Sequence, residues 1–194
     1  MTTALIDIGS NSVKLSIYPD THSHFVPTKI ITTGLGEGLA KTGTLSNLAL
    51  MRTFDAVLQL YNDAKSKNAS RIIAYATEAV RAARNGNVFV SRIFDATGLE
   101  IDVLSGETEA ELGFVGAGID IDTHYTTIDI GGASVELAGG SSGILTSKVS
   151  LPLGVLRILD EAGSDPNKIR SYINANLPSV ATYKDATTTL IGIG

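Results

Sequence analysis

No cysteine occurs among the 194 residues, which excludes disulfides, thiolate metal sites and cysteine nucleophiles. A long hydrophobic run is also missing. The first apolar stretch, Ala4 to Ile6, is cut by Asp7 and follows no basic residue, so neither a signal peptide nor a membrane span starts there. A soluble, cytoplasmic protein with no membrane partner is therefore expected. Charged side chains make up only 18% against 43% hydrophobic, enough apolar surface to offset chain entropy, which excludes a disordered chain. The length suits one compact domain or two lobes, each able to bury a core.

Lysine and arginine are absent from residues 93–147, a block that holds ten acids. Residues 1–92 carry ten basic and six acidic side chains, and residues 148–194 carry five and four. The net charge of −5 thus comes from one segment, and it does not exclude a small anionic substrate. A nucleic-acid polymer is not among the expected partners.

What the chain does have is an internal repeat. Residues 4–17 and 126–139 align without a gap, and Ile6, Asp7, Ile8, Gly9, Ser12, Val13 and Leu15 recur 122 positions later. Each copy reads as a strand, a turn of small residues and a second strand alternating apolar and polar. After the first copy, residues 24–33 read as a third strand and 34–43 as a Gly-rich loop. Ser46 can then cap a long helix whose apolar residues at 50, 54, 57, 61 and 64 form one stripe. A strand at 71–76, helical segments near 77–83 and 87–97, a strand at 100–104 and a helix over 106–117 follow. After the second copy the pattern predicts a strand at 143–151, helix over 154–176 interrupted at Gly163 to Pro166, and a strand at 187–191. The second lobe is expected to lack its last helix-strand-helix portion; a naturally abbreviated lobe is the alternative.

Glycine at both turns lets an anion approach backbone N–H groups, so each hairpin can clip a phosphate, with Ser10, Asn11, Ser12 and Ser134 adding donors. Taken together, the two are expected to face each other as phosphate clips. Asp7 and Asp129, each at a strand end before its glycine, can hold a divalent cation or its waters. Lys14 in the first copy becomes Glu136 in the second: a lysine complements phosphate charge, whereas a glutamate beside a clip suits a metal or a proton transfer. Both can equally lie on a solvated strand face. In the segment from Ser105 to Leu112, Glu107 and Glu111 share a helix face and Glu109 points about 200° away, alongside Leu112, Gly113 and Gly116. A partly desolvated Glu109 near phosphate can act as a general base, while acids in a first turn also simply suit the helix dipole. Arg81 can reach a phosphate with its planar fork.

These four stretches, around Asp7 to Ser12, Ala76 to Arg81, Ser105 to Ala110 and Ile128 to Leu137, resemble in order and spacing the exopolyphosphatase and guanosine pentaphosphate phosphohydrolase (Ppx/GppA) family. That family lies within the actin, sugar kinase and Hsp70 superfamily. The resemblance covers the whole chain. It implies an α/β fold of two ribonuclease-H-like lobes, residues 1–120 and 121–194, each a mixed sheet with flanking helices. By the same resemblance, Glu109 is the base that activates water, and Asp129 and Glu136 lie near Mg²⁺ and that water. Asn11, Arg81, Gly131, Gly132 and Ser134 match phosphate-contacting positions. The family's third glycine is Ala133 here, whose methyl can narrow the approach or force a negative φ. The implied substrate is inorganic polyphosphate or guanosine pentaphosphate, and a homodimer is left open. An ATP-dependent kinase of the same superfamily, or a non-catalytic phosphate- or nucleotide-binding actin-like protein, is the alternative, and the incomplete second lobe is expected to leave these residues alone poorly active.

Overall fold

The computed structural model describes residues 2–18, 26–118, 122–177 and 189–193. Strand β1 (Thr3–Ile8) buries Ala4, Ile6 and Ile8 on one face, the period of two expected of a pleated strand. It pairs antiparallel with β2 (Ser12–Tyr18), which pairs antiparallel with β3 (Val26–Thr32). Parallel neighbours need a crossover, and helices supply both. Helix α2 (Asn47–Ser66) leads to β4 (Arg71–Ala76), and α3 (Glu78–Ala82) with α4 (Gly86–Thr97) leads to β5 (Ile101–Val103). The sheet order is β3-β2-β1-β4-β5.

Ser46 does cap α2, its hydroxyl oxygen accepting from the Ala49 N–H. The buried stripe is wider than the sequence spacing suggests: Ala49, Thr53, Ala56 and Leu60 join Leu50, Val57 and Ala64, while Phe54 and Tyr61 are only partly buried. Small residues bring the helix close to the sheet, where Ile6, Val13, Leu15, Val57, Leu60, Phe89 and Ile93 form one core. The Gly-rich loop contains a four-residue helix, α1 (Leu39–Thr42), between Gly38 and Gly43.

The second sheet repeats the plan. β6 (His124–Ile130), β7 (Val135–Ser141) and β8 (Ile144–Leu151) are sequentially antiparallel, β9 (Thr189–Ile193) is parallel to β6, and the order is β8-β7-β6-β9. Ser142 and Gly143, both with positive φ, close the β7–β8 hairpin. β9 runs on to Ile193, two residues past the expected end, and residues 187 and 188 fall outside the described residues, as do 24 and 25 of the expected third strand. The interrupted helical segment is two helices, α6 (Val155–Ala162) and α7 (Pro166–Asn176), the latter capped by Asp165 with proline in its first turn. Among the described residues no helix is long and apolar enough to cross a membrane.

The chain divides into two compact units, Met1–Leu104 and Ser105–Gly194. The boundary expected from the repeat, at residue 120, lies one helix further along the chain. Helix α5 (Gly106–Ala117), assigned by the sequence to the first lobe, packs on β6, β7, β8 and β9. Phe114 decides this: its ring stacks on Tyr125 with centroids 4.3 Å apart and planes 7° from parallel, and both residues are fully buried. The Tyr125 hydroxyl donates to the Phe114 carbonyl at 3.1 Å, and burial raises the phenol's pKa. Ala110 and Ala138 complete this small core.

Candidate active site

Both repeat turns close with the same bond: Gly9 N–H donates to the Ser12 carbonyl at 2.9 Å and Gly131 N–H to the Ser134 carbonyl at 3.0 Å. The carbonyls of each turn are then tied back. Ser10 accepts from Gly36 (2.7 Å), and Asn11 from Thr33 (2.9 Å) and Gly34 (3.0 Å). Gly131 accepts from Val155 (3.1 Å), and Gly132 from Leu156 (2.7 Å) and Arg157 (3.3 Å). In a trans peptide the next N–H points opposite to the carbonyl, so tying back two successive carbonyls turns two successive N–H groups the other way. These are Asn11 and Ser12 in the first unit and Gly132 and Ala133 in the second. Successive amides aimed one way form an anion-binding nest. The Gly131 N–H, by contrast, is used within its own hairpin.

Register sets the charges beside each nest. Asp7 lies opposite Lys14, whereas at the equivalent positions Asp129 lies opposite Glu136. Directly opposed residues share a face, and two like charges there are destabilising unless a cation or proton intervenes. Glu136 is only 5% exposed, and one of its oxygens, Oε1, accepts from the Ser150 hydroxyl at 2.7 Å. Two carboxylates from adjoining strands suit Mg²⁺, which takes one or two carboxylates and fills its shell with water and phosphate oxygens. Among the described residues no group of three or more His, Asp or Glu side chains is placed to hold a metal; Asp7 belongs to the first unit, Asp129 and Glu136 to the second.

Helix α5, which carries Glu109 in its first turn, lies in the same compact unit as this carboxylate pair. Phe114 lies over Tyr125, and one turn earlier Glu111 meets Lys148 at 3.0 Å, in the row of Ala138 and Thr127. Glu107 also reaches Lys148, at 3.7 Å, which bears out the shared face of Glu107 and Glu111, and Glu111 raises the Lys148 pKa by hydrogen bonding. Glu109 occupies the opposite flank with Gly113, where a Cβ on Gly113 would lie 2.8 Å from Ile193, the register partner of Asp129. Glu109 is half-buried. Its side of the helix is not a closed apolar seam, since Leu112 is exposed.

Two expected phosphate ligands are engaged within the first unit. The Ser10 hydroxyl oxygen accepts from the Ala79 N–H at 3.2 Å, anchoring the start of α3 to the turn. The Arg81 guanidinium binds Glu78, at 2.6 Å from Nη2, and the Leu104 carbonyl. Its fork bridges α3 to the end of β5. Asn11 is exposed and Ser12 half-buried, whereas Ser134 is buried in the second turn.

The model of the Ppx/GppA phosphatase family matches residues 16–177. The chain belongs to this family. Within and around it, the chain is 29% identical to exopolyphosphatase 1 of Mycobacterium bovis over 95% of its own length and 58% of that protein's. It is 29% identical to a bifunctional 3-dehydroquinate synthase/phosphatase of Fusobacterium nucleatum over 98% of its length and 32% of that protein's. The crystal structure of an exopolyphosphatase from Cytophaga hutchinsonii superposes with a TM-score of 0.88 at 26% identity, covering 99% of this chain and 66% of the other. Ethanolamine utilization protein EutJ from Carboxydothermus hydrogenoformans, at 15% identity and a TM-score of 0.57, shares the actin-like fold alone. The chain thus spans less than two thirds of the two curated relatives and of the solved exopolyphosphatase.

In this Ppx/GppA member the departure at Ala133 is accommodated. Its φ is not positive, and the residue is 4% exposed. Gly154 packs against the turn's main chain rather than against the methyl: a Cβ there would overlap the Ala133 backbone. Gly154 has φ −65° and ψ 152°, open to any residue, so only the close approach demands glycine there. Gly154→Ala is expected to lower stability by about 1–3 kcal/mol, the usual cost of overpacking, and to weaken phosphate binding together with it. Denaturant unfolding and phosphate titration of the same variant check this; wild-type values in both would show that the turn yields freely. Neither Gly154 nor Ser150 stands out in the sequence. The one available signal is their position, Ser150 near the end of the third strand and Gly154 just after it, in a copy whose counterpart leads into a Gly-rich loop.

Proposed function

We propose that the chain hydrolyses a terminal phosphoanhydride bond, in inorganic polyphosphate or guanosine pentaphosphate, by direct attack of water. The observation that carries this reading is that α5 belongs to the second unit. Glu109, the opposed pair Asp129 and Glu136, and the Gly132–Ala133 nest therefore ride on one compact body. Phosphoryl transfer asks chiefly for positioning and charge neutralisation, with attacking and leaving oxygens in line. The second-unit nest donates to phosphate oxygens; the Asn11–Ser12 turn and Lys14 are the phosphate-binding candidates of the first unit taken by itself. Glu109 takes the proton of the attacking water at its carboxylate. Asp129 and Glu136 would hold Mg²⁺, whose charge offsets that of the phosphate oxygens. The named exopolyphosphatase relatives support this substrate class.

The test is phosphate release from polyphosphate and from guanosine pentaphosphate with no acceptor present, with and without Mg²⁺. Release that requires Mg²⁺ and favours one of the two substrates is expected. Phosphate transfer only to an added alcohol, with none to water, would sink the hydrolase in favour of a kinase.

A further inference from the structure

Ser150 stands at the end of a three-residue row, Ser150–Glu136–Asp129, set by the register of β8, β7 and β6. The repeat supplies an internal comparison. The equivalent row in the first sheet is Ile30–Lys14–Asp7. Where the middle residue is lysine, its outer neighbour is an exposed isoleucine with no hydroxyl; where it is a buried glutamate, the outer neighbour is a serine 2.7 Å from its Oε1. Charge and donor change together. A glutamate carboxylate turns broadly about its last torsion, and a single strong donor to one oxygen fixes that plane. A carboxylate meant to ligate a cation needs this kind of fixing, because outer hydrogen bonds orient ligands and tune their affinity.

We propose that Ser150 is a positioning residue for a divalent-cation site formed by Asp129 and Glu136. Its hydroxyl donates to Glu136 Oε1 and holds that carboxylate in the orientation from which it binds the metal alongside Asp129. Ser150 itself touches neither metal nor substrate. This inference rests on the proposed role of the carboxylate pair, so the experiment separates the two.

Binding of Mn²⁺, as a probe for Mg²⁺, is measured by the loss of the free-ion electron paramagnetic resonance signal, without substrate. The full chain is compared with S150A, S150T and D129N, with the thermal unfolding of each recorded. The expected result is a roughly 10- to 100-fold weaker Mn²⁺ affinity in S150A, the scale found for outer-shell partners, at an unchanged unfolding midpoint. S150T, which keeps the hydroxyl on a β-branched residue suited to a strand, restores affinity to within about threefold. If D129N abolishes binding but S150A binds like wild type, Ser150 has no positioning role and the carboxylate site stands. S150T as weak as S150A overturns the inference as well, since the hydroxyl would then not be the cause. If wild type and D129N bind Mn²⁺ alike, the carboxylate pair is not the metal site and both readings fall.

Discussion

Glu109→Gln is expected to lower the rate of phosphate release by roughly 10²- to 10⁴-fold, the scale of a lost general base, while phosphate binding survives. Glutamine keeps the size and the helix propensity of the residue, so α5 stays on its sheet and only the proton acceptor is lost. The neighbouring acids supply the comparison. Glu107, 72% exposed, and Glu111 both turn to Lys148 on the other flank of α5, away from Gly113 and Ile193. Glu107→Gln should therefore change turnover by no more than a few-fold. Single-turnover hydrolysis of the preferred phosphoanhydride, with phosphate affinity measured alongside, distinguishes the two. An unchanged rate in the Glu109 variant removes that residue from the mechanism.

Phe114→Ala is expected to destabilise the second unit by about 3–5 kcal/mol, the range for deleting a buried phenylalanine, and to abolish most hydrolysis with it. Phe114 lies in a slot fitted to it: a Cβ on Gly140 would come within 2.7 Å of its ring, and one on Gly118 would overlap the Tyr125 hydroxyl. The Tyr125 ring, Ala110 and Ala138 around it would lose their packing partner. Losing the ring also loosens α5, and with it the placement of Glu109. Tyr125→Phe keeps the stack and loses only the hydroxyl's bond to the Phe114 carbonyl, so its cost should be near 1 kcal/mol. Equal denaturant midpoints for Phe114→Ala and wild type would refute the claim that this stack fastens the helix.

The duplicated hairpins were legible because identity at matched positions constrains both strand register and turn shape at once. Ile6 to Leu15 and their copies 122 residues later duly form the same closing bond and the same strand order. Elements also read well where a cap or breaker marks them, as at Ser46, Asp165 and Pro166. What periodicity could not supply was partnership. The partners that fasten α5 to the second sheet, the Phe114–Tyr125 stack and the Lys148 pairs with Glu107 and Glu111, lie across long stretches of sequence. Side-chain commitments were hidden for a similar reason. Ser10 and Arg81 carry the residue types a phosphate site uses, and their bonds to the Ala79 N–H and to Glu78 appear only in three dimensions. Conversely, Ser150 and Gly154 look unremarkable in a line of letters, and act through a carboxylate and a backbone that folding brings beside them.

The boundary between Leu104 and Ser105 means that the segment copied in the repeat and the segment that folds as a body are out of phase by one helix. A chain dissected at residue 120, where the copies would suggest cutting, parts Phe114 from Tyr125 and leaves both halves with an orphaned apolar face. Cut at 104 instead, the second half retains its helix, its acidic residues and its nest as a single inheritable module. Exchange of parts between relatives should therefore succeed at the β5–α5 junction and fail at the start of β6, however closely the two copies match there.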